Sequence, residues 1–380
     1  MDDIVAFRFP TAMRVGKGAR RALAEARDRM GVERPLLVTD GGLPATEAYR
    51  LVAAEMERVW PGAWAVFDKV HPNPIESDAE EGHAAYAAHR ADGIVAVGGG
   101  SAIDGAKAIL LKVAHPKVAL SDIALADLPE LIVPLVAVPT TAGTGSEVGR
   151  STVVIIPALK RKVVFGGPAL LPRLAILDPE LTVGLPPGLT AATGMDAMTH
   201  AIESFVCPVY HPLCDGVALE AIHRIVKFLP RAVADGRDLE ARTEMLVAAS
   251  MGATAFQKDL GAAHSMAHAL GTEYGAHHGL ANAVCLAATI RFNGETDSHQ
   301  YSRVAQAMGL TPGADPAGQV AGAVEALNRS VGITQRVRDL GVPEATLPAL
   351  AAKALEDSNH LTNPRPVTES DFLRLFREVW

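Results

Sequence analysis

An α/β half followed by an all-α half is the architecture this sequence predicts, and three observations carry the prediction. Short apolar runs alternate with helical patterns up to about residue 185. Polar loops rich in glycine or threonine close two of those runs. Beyond Leu185-Pro186-Pro187-Gly188, long Ala-rich helical patterns take over. Residues 1–185 therefore read as a parallel-sheet domain and residues 186–380 as a helical domain. A chain of 380 residues is too long for one core and suits two. Hydrophobic residues are 49% and aromatic ones only 5%, so the bulk comes from Ala, Val, Leu and Ile. That composition suits helices and buried parallel strands.

The elements follow in order. Pro35–Asp40 reads as a strand ending at Gly41-Gly42. Pro44 to Val59 reads as a helix with proline in its first turn, where a missing N–H is harmless. Ala63–Val66 and Gly93–Val97 read as strands, the second running through Gly98-Gly99-Gly100 into a helix from Ser101 to Val113. Leu131 to Val138 reads as a buried strand with an edge or bulge at Pro134. In the second half, helices are expected over Leu189–Phe205, Cys214–Phe228, Leu239–Lys258, Ala262–Leu270 and Ala281–Phe292.

Charge and targeting signals narrow the class. Formal net charge is −8 with no basic run, which argues against nucleic acid as a partner. The start, Met1-Asp2-Asp3, is acidic and no apolar stretch follows it, so neither a signal peptide nor a membrane span is expected. Cys207, Cys214 and Cys285 are too few and too odd for a disulfide framework. A soluble cytoplasmic protein is expected.

Two loops suit a nucleotide. Gly98-Gly99-Gly100-Ser101 lies between a strand and a helix, where bare backbone can approach a pyrophosphate and the helix N-terminus favours the anion. Ser101 is also placed to cap that helix. The glycines alone fit a tight strand-to-helix turn equally well, and their spacing is not G-x-G-x-x-G. The second loop, Pro139-Thr140-Thr141-Ala142-Gly143-Thr144-Gly145-Ser146-Glu147, follows the next strand, and its hydroxyls suit the ligand crevice of an open α/β sheet. Asp40 ends an earlier strand. Its carboxylate can accept bonds from a ribose and would repel a 2′-phosphate, pointing to NAD(H) over NADP(H), although Asp is also a common turn former.

The helical half carries a metal-type constellation. Asp196 and His200 are four apart, as are His264 and His268, so each pair shares a helix face. His277 and His278 follow. A single buried histidine is usually a hydrogen-bonded core residue. Two such pairs among small residues favour a borderline divalent cation such as Fe2+ or Zn2+.

Taken together and in order, several segments resemble the iron-containing (group III) alcohol dehydrogenases. They are Gly98–Ser101 with Asp104 and Lys107, the 139–147 loop, Asp178-Pro179-Glu180-Leu181-Thr182, Gly194-Met195-Asp196-Ala197, and His264 through His278-Gly279. The resemblance runs from about residue 36 to Asn363-Pro364-Arg365. It implies that Asp196, His200, His264 and His278 ligate a metal, Fe2+ before Zn2+, and that His268 positions substrate or relays a proton. It implies cofactor contacts from Asp40, Asn73, Gly98, Gly99, Gly100, Ser101, Asp104, Thr140, Thr141, Thr144, Ser146 and Lys162, with NAD(H) as the cofactor. It also implies a homodimer.

The sequence departs from the common pattern at three places. Gln257-Lys258-Asp259-Leu260-Gly261 stands where many members have Asn-x-Gly-x-Gly, His277 precedes His278 in place of proline, and Arg150 occupies a position usually uncharged. These departures resemble the branch acting on 4-hydroxybutyrate. The expected chemistry is hydride transfer between a nicotinamide and a small primary alcohol or aldehyde, with the cation as Lewis acid. Arg150 and Lys258 are candidate contacts for an anionic substrate, if they are not simply solvated or paired with Glu147 and Asp259. Two other enzyme classes fit the same features: a hydroxyacid–oxoacid transhydrogenase and a lyase of the dehydroquinate synthase type. A non-enzymatic scaffold would not need two loops of this kind.

Overall fold

The computed structural model describes residues 11–123, 132–159, 161–296 and 299–380. Met1, Asp2, Asp3 and Leu131 lie outside the described residues. Among the described residues two compact units are present, one comprising Gly145–Leu185 and the described chain from 11 to 141, the other Ala142–Thr144 and Pro186–Trp380.

The first unit is a six-stranded parallel sheet. Its elements are β1 (Ala12–Val15), α1 (Ala24–Met30), β2 (Pro35–Asp40), α2 (Glu47–Val59), β3 (Ala65–Val70), α3 (Glu76–His89), β4 (Gly93–Gly98), α4 (Gly100–Ala114), β5 (Leu135–Pro139), β6 (Ser151–Ile156), β7 (Arg161–Gly166) and β8 (Leu174–Leu177). Strand order is β1-β8-β5-β4-β2-β3, and β6 and β7 form a separate antiparallel pair. Period-2 alternation buries both sheet faces. Leu36, Val38, Ile94, Ala96, Leu135 and Ala137 pack on one side with Ile103 and Ile109 of α4. Leu37, Val95, Val97, Val136 and Val138 pack on the other with Val52 and Met56 of α2.

The chain runs from β2 outward to β3, then returns to place β4 on the other side of β2. The order thus reverses between β2 and β4, where ligands of open α/β sheets bind beyond the strands' carboxyl ends.

Several sequence expectations need correction. Helix α2 starts at Glu47, not Pro44. Thr46 is its N-cap, accepting from the Tyr49 N–H, and Pro44 sits in a preceding 3-10 turn. Strand β3 lies two residues later than Ala63 and runs on to Val70. Pro134 lies just before β5, so no bulge is required, and its carbonyl accepts from the Ile94 N–H at 2.9 Å. Strands β1 and β8 and the β6–β7 pair were not anticipated.

The second unit is helical: α5 (Pro187–Val206), α6 (Pro212–Ala234), α7 (Leu239–Ala255), α8 (Ala262–Tyr274), α9 (His278–Gly294), α10 (His299–Ala307), α11 (Pro316–Ser330), α12 (Leu347–Leu355) and α13 (Glu369–Val379). No strand occurs here among the described residues, and none of the described helices is long and apolar enough to cross a membrane. Helix α5 is buried along nearly its whole length. Met195, Met198, Ile202 and Phe205 pack with Ile222, Ile225 and Leu229 of α6 and Leu286 of α9.

Glycine sets how closely two of these helices meet. A Cβ on Gly279 of α9 would lie 2.3 Å from the Ala192 carbonyl oxygen and 3.2 Å from the Asp196 Cβ. The backbone of α5 cannot yield locally, so the helices must separate. Gly279→Ala is therefore expected to cost about 1–3 kcal/mol of stability, the usual range for overpacking. Urea denaturation checks this; a variant as stable as the parent would show that the contact is slack.

Candidate metal centre

Three helices build the centre. Asp196 and His200 lie one turn apart on α5, His264 is the third residue of α8, and His278 opens α9. One donor atom from each lies within 4.8 Å of the others. Asp196, His200 and His264 are 2%, 5% and 1% exposed. The His200 and His264 rings stack with centroids 4.8 Å apart, and His278 Nε2 lies 3.4 Å from Asp196 Oδ1.

The electrostatics fit a cation. Burial alone would raise the Asp196 carboxyl. Its neighbours His200, His278 and His264 and a bond from Asn282 outweigh that and hold it at about 2. Burial pushes His200 down to about 4 and drives His278 well below the ordinary value. These imidazoles are thus neutral at pH 7 with lone pairs to give, as metal ligands must be. An ionised carboxylate in an apolar helical core is costly unless compensated. The donor chemistry, the burial and the convergence fit a divalent cation bound by one oxygen and three nitrogens.

Sequence reasoning missed three residues around this cluster. Glu203, 4% exposed, accepts from His264 Nδ1 at 2.5 Å and from the Ala263 N–H at 2.7 Å. It fixes the tautomer in which Nε2 faces the other ligands, and its charge outweighs burial to raise the His264 pKa. Asn282, fully buried, donates to Asp196 Oδ1 at 2.8 Å. Asp357 accepts from His268 Nδ1 at 2.7 Å and from Ser265 Oγ at 2.9 Å. Despite its burial, these bonds hold its carboxyl well below the usual carboxylate range. Glu203 was findable, because positions 196, 200 and 203 share one helix face, as do 278 and 282. Asp357 lies 89 residues from its partner and left no local signal.

The expected nucleotide residues assemble within the sheet unit. Asp40 ends β2 and Gly98 ends β4, on either side of the order reversal, and a Cβ on Gly98 would lie 3.4 Å from Asp40 Oδ2. Gly98 has φ +145°, a conformation that favours glycine, and a Cβ there would also lie 2.6 Å from that of Ala102. The N-terminus of α4 has no side-chain cap. Ser101 does not cap it, because its hydroxyl donates to the Pro72 carbonyl. The first-turn N–H groups are thus left for an anion. Thr140 N–H donates to Gly98 O at 2.9 Å, and Thr141 lies against Gly99. Lys162 donates to Asn73 Oδ1 at 2.9 Å, so the hairpin joins two residues distant in sequence. Asp104 and Ser146 are bonded to each other at 2.6 Å. Thr144 belongs to the helical unit with Ala142 and Gly143.

The two cations proposed for an anionic substrate differ. Arg150 is exposed. Lys258 is 3% exposed and pairs with Asp215 at 2.5 Å and with the Phe205 carbonyl at 3.3 Å. Its charge is already balanced inside the helical core, by Asp215 rather than the Asp259 considered from sequence, and it is not a substrate contact.

Comparison with known proteins gives the family. The family described as "Iron-containing alcohol dehydrogenase" matches residues 10–179, and "Fe-containing alcohol dehydrogenase family, C-terminal" matches residues 190–380. The 4-hydroxybutyrate dehydrogenase of Cupriavidus necator is 40% identical over 97% of this chain and 98% of that protein. The crystal structure of a 1,3-propanediol oxidoreductase superposes with a TM-score of 0.94 at 36% identity, covering 100% of both chains. The sulfoacetaldehyde reductase of Bifidobacterium kashiwanohense, solved in complex with NAD+, superposes with a TM-score of 0.87 at 29% identity over 99% of each chain. This chain belongs to the iron-containing alcohol dehydrogenase family.

Two predictions follow from the centre. Glu203→Gln should weaken cation affinity by about ten- to a hundredfold, the usual effect of losing a carboxylate behind a ligating histidine. Competition with a chelator measures it, and unchanged affinity would remove Glu203 from the account. The second concerns acid. His200 and His278 stay neutral in the folded, metal-free protein, whereas the unfolded chain protonates them below the ordinary 6.5. Between pH 6.5 and about 4 the unfolded state therefore binds more protons, and stability falls as pH falls. His264, being raised, acts oppositely and loses its contribution above pH 6.5. Asp196 loses its contribution only as pH falls from 3.8 toward about 2. The urea midpoint of metal-free protein should drop between pH 6.5 and 4.5, and His200→Asn should flatten that drop.

Proposed function

We propose that this chain is a metal-dependent, NAD(H)-linked dehydrogenase that interconverts a small primary alcohol and its aldehyde. The observation that carries this reading is the convergence of Asp196, His200, His264 and His278, three of them buried and His278 half-buried, with one donor atom each within 4.8 Å of the others. An uncapped helix N-terminus beside Gly98 and Asp40 supports the nucleotide part, as does the bound NAD+ of the sulfoacetaldehyde reductase. Asp40 would meet a 2′-phosphate with like charge, which supports NAD(H) over NADP(H).

Asp196, His200, His264 and His278 would hold the cation, Fe2+ in preference to Zn2+. When bound, the cation supplies Lewis acidity to the substrate oxygen and the nicotinamide gives or takes the hydride. Glu203 and Asn282 hold the donors in place. His268 handles the proton. Its Nδ1 is tied to Asp357, which leaves Nε2 as the atom that exchanges a proton with substrate or water. We extend the reading to an anionic substrate of the 4-hydroxybutyrate or succinic semialdehyde kind, supported by the Cupriavidus relative and by the exposed Arg150. Three free, buried cysteines support a reducing, cytoplasmic setting, and the family resemblance supports a homodimer.

Assay of NADH oxidation with metal-loaded enzyme tests the reaction. His264→Ala should lose its cation and on the order of a thousandfold in kcat, the scale of several kcal/mol of Lewis-acid stabilisation. Full turnover in a metal-free variant would refute the reaction proposed. Succinic semialdehyde should exceed butyraldehyde in kcat/KM by about tenfold or more, the worth of one charge-assisted bond. Arg150→Ala should erase that preference. An unchanged ratio in the variant would rule out Arg150, and equal use of both aldehydes by the parent would rule out the anionic substrate.

A further inference from the structure

Lys107 is fully buried on α4, yet the chemistry proposed above leaves it without a task. Its ammonium donates to three oxygens: the Ser146 carbonyl at 2.8 Å, Ser146 Oγ at 2.7 Å and the Ser151 carbonyl at 2.9 Å. Ser146 Oγ in turn donates to Asp104 Oδ1 at 2.6 Å. Asp104 also accepts from the Val153 N–H at 3.3 Å, and its backbone carbonyl accepts from Thr152 Oγ1 at 2.8 Å. One helix thus grips both the end of the threonine-rich loop and the first residues of β6.

A serine hydroxyl has one proton to donate. Here that proton goes to Asp104, and the oxygen accepts from Lys107. Phosphate oxygens at neutral pH are acceptors, so in this arrangement the Ser146 hydroxyl has no proton for them. A second carboxylate beside a pyrophosphate would also repel it, whereas Asp104 is engaged by Ser146 with Lys107 close by. Resting on the nucleotide-binding reading, we propose that Asp104, Lys107 and Ser146 are positioning residues: they form a buried lock that sets the 139–149 loop for NAD(H) without the Asp104 carboxylate or Ser146 hydroxyl touching it. Lys107 supplies a compensating charge near the half-buried Asp104, and Ser146 joins the two. The loop is organised before the nucleotide arrives, which lowers the ordering cost of binding.

A double-mutant cycle on nucleotide affinity tests this. NADH fluorescence titration gives the dissociation constant for the parent, Asp104→Ala, Ser146→Ala and the double variant. The lock predicts that each single change weakens NADH by about tenfold, the worth of one buried hydrogen bond with its charge. The double variant should be about as weak as the worse single one, because either change opens the same lock. Asp104→Asn keeps an amide oxygen for Ser146 but loses the acceptor for the Val153 N–H and the charge near Lys107, so its NADH affinity should fall between those of the parent and Asp104→Ala. It also serves if Asp104→Ala does not fold. Chelator competition should show cation affinity unchanged throughout.

A double variant weakened by the product of the two single effects, about a hundredfold, would mean independent contacts and overturn the proposal. So would single variants that lose thermal stability but bind NADH like the parent. A parent that fails to bind NADH would instead overturn the nucleotide reading itself.

Discussion

The candidate metal centre depends on one buried negative charge, that of Asp196. Asp196 lies within α5 at 2% exposure, among alanines and methionines that offer no compensation. Removing a carboxylate from water is expensive, and the donors nearby are few. One is the amide of Asn282; the others are imidazoles that burial holds neutral in the case of His200 and His278. The neutral imidazoles and the carboxylate present lone pairs inward, where the Asn282 amide nitrogen reaches Asp196, His264 and His278, and a cation is the partner proposed for them. The close approach of α9 to α5, which Gly279 allows, and the anchoring of His264 by Glu203 serve that requirement.

The sheet unit solves the converse problem, a place for a bound negative charge. At the β2/β4 reversal the backbone beside Gly98 is bare, and the first turn of α4 has no side-chain cap. Ser101, the residue best placed to occupy those N–H groups, points its hydroxyl at Pro72. In the function proposed, side chains of one unit gather lone pairs for a cation, and the backbone of the other gathers N–H groups for an anion. A nicotinamide-linked dehydrogenase that uses a metal needs both.

Much of this was legible in the sequence because the decisive spacings are local. The pairs 196/200 and 264/268 are one helical turn apart, and Gly98–Ser101 marks a strand-to-helix turn whatever the wider fold. The same periodicity extended to 203 and 278/282 would have found Glu203 and Asn282. Where the sequence misled, proximity along the chain was taken for proximity in space. Lys258 sits near a histidine motif, but it turns into the core toward Asp215, 43 residues away. Asp357 reaches His268 across 89 residues and had no detectable signature. Strands β1 and β8 are only four residues each, too short for a period to show. Pro134 suggested a distorted strand because the strand was begun too early.

The measurement that tests the central claim most directly is cobalt substitution followed by visible absorption. One Co2+ per chain should bind, with d–d bands of the intensity expected for a site of low coordination number built from nitrogen and oxygen. Asp196→Asn and His278→Ala should each weaken binding and change those bands, since both side chains are proposed as direct ligands. Loss of neither the stoichiometry nor the spectrum in these variants would mean that the four side chains do not share a cation, and the account would fail at its centre.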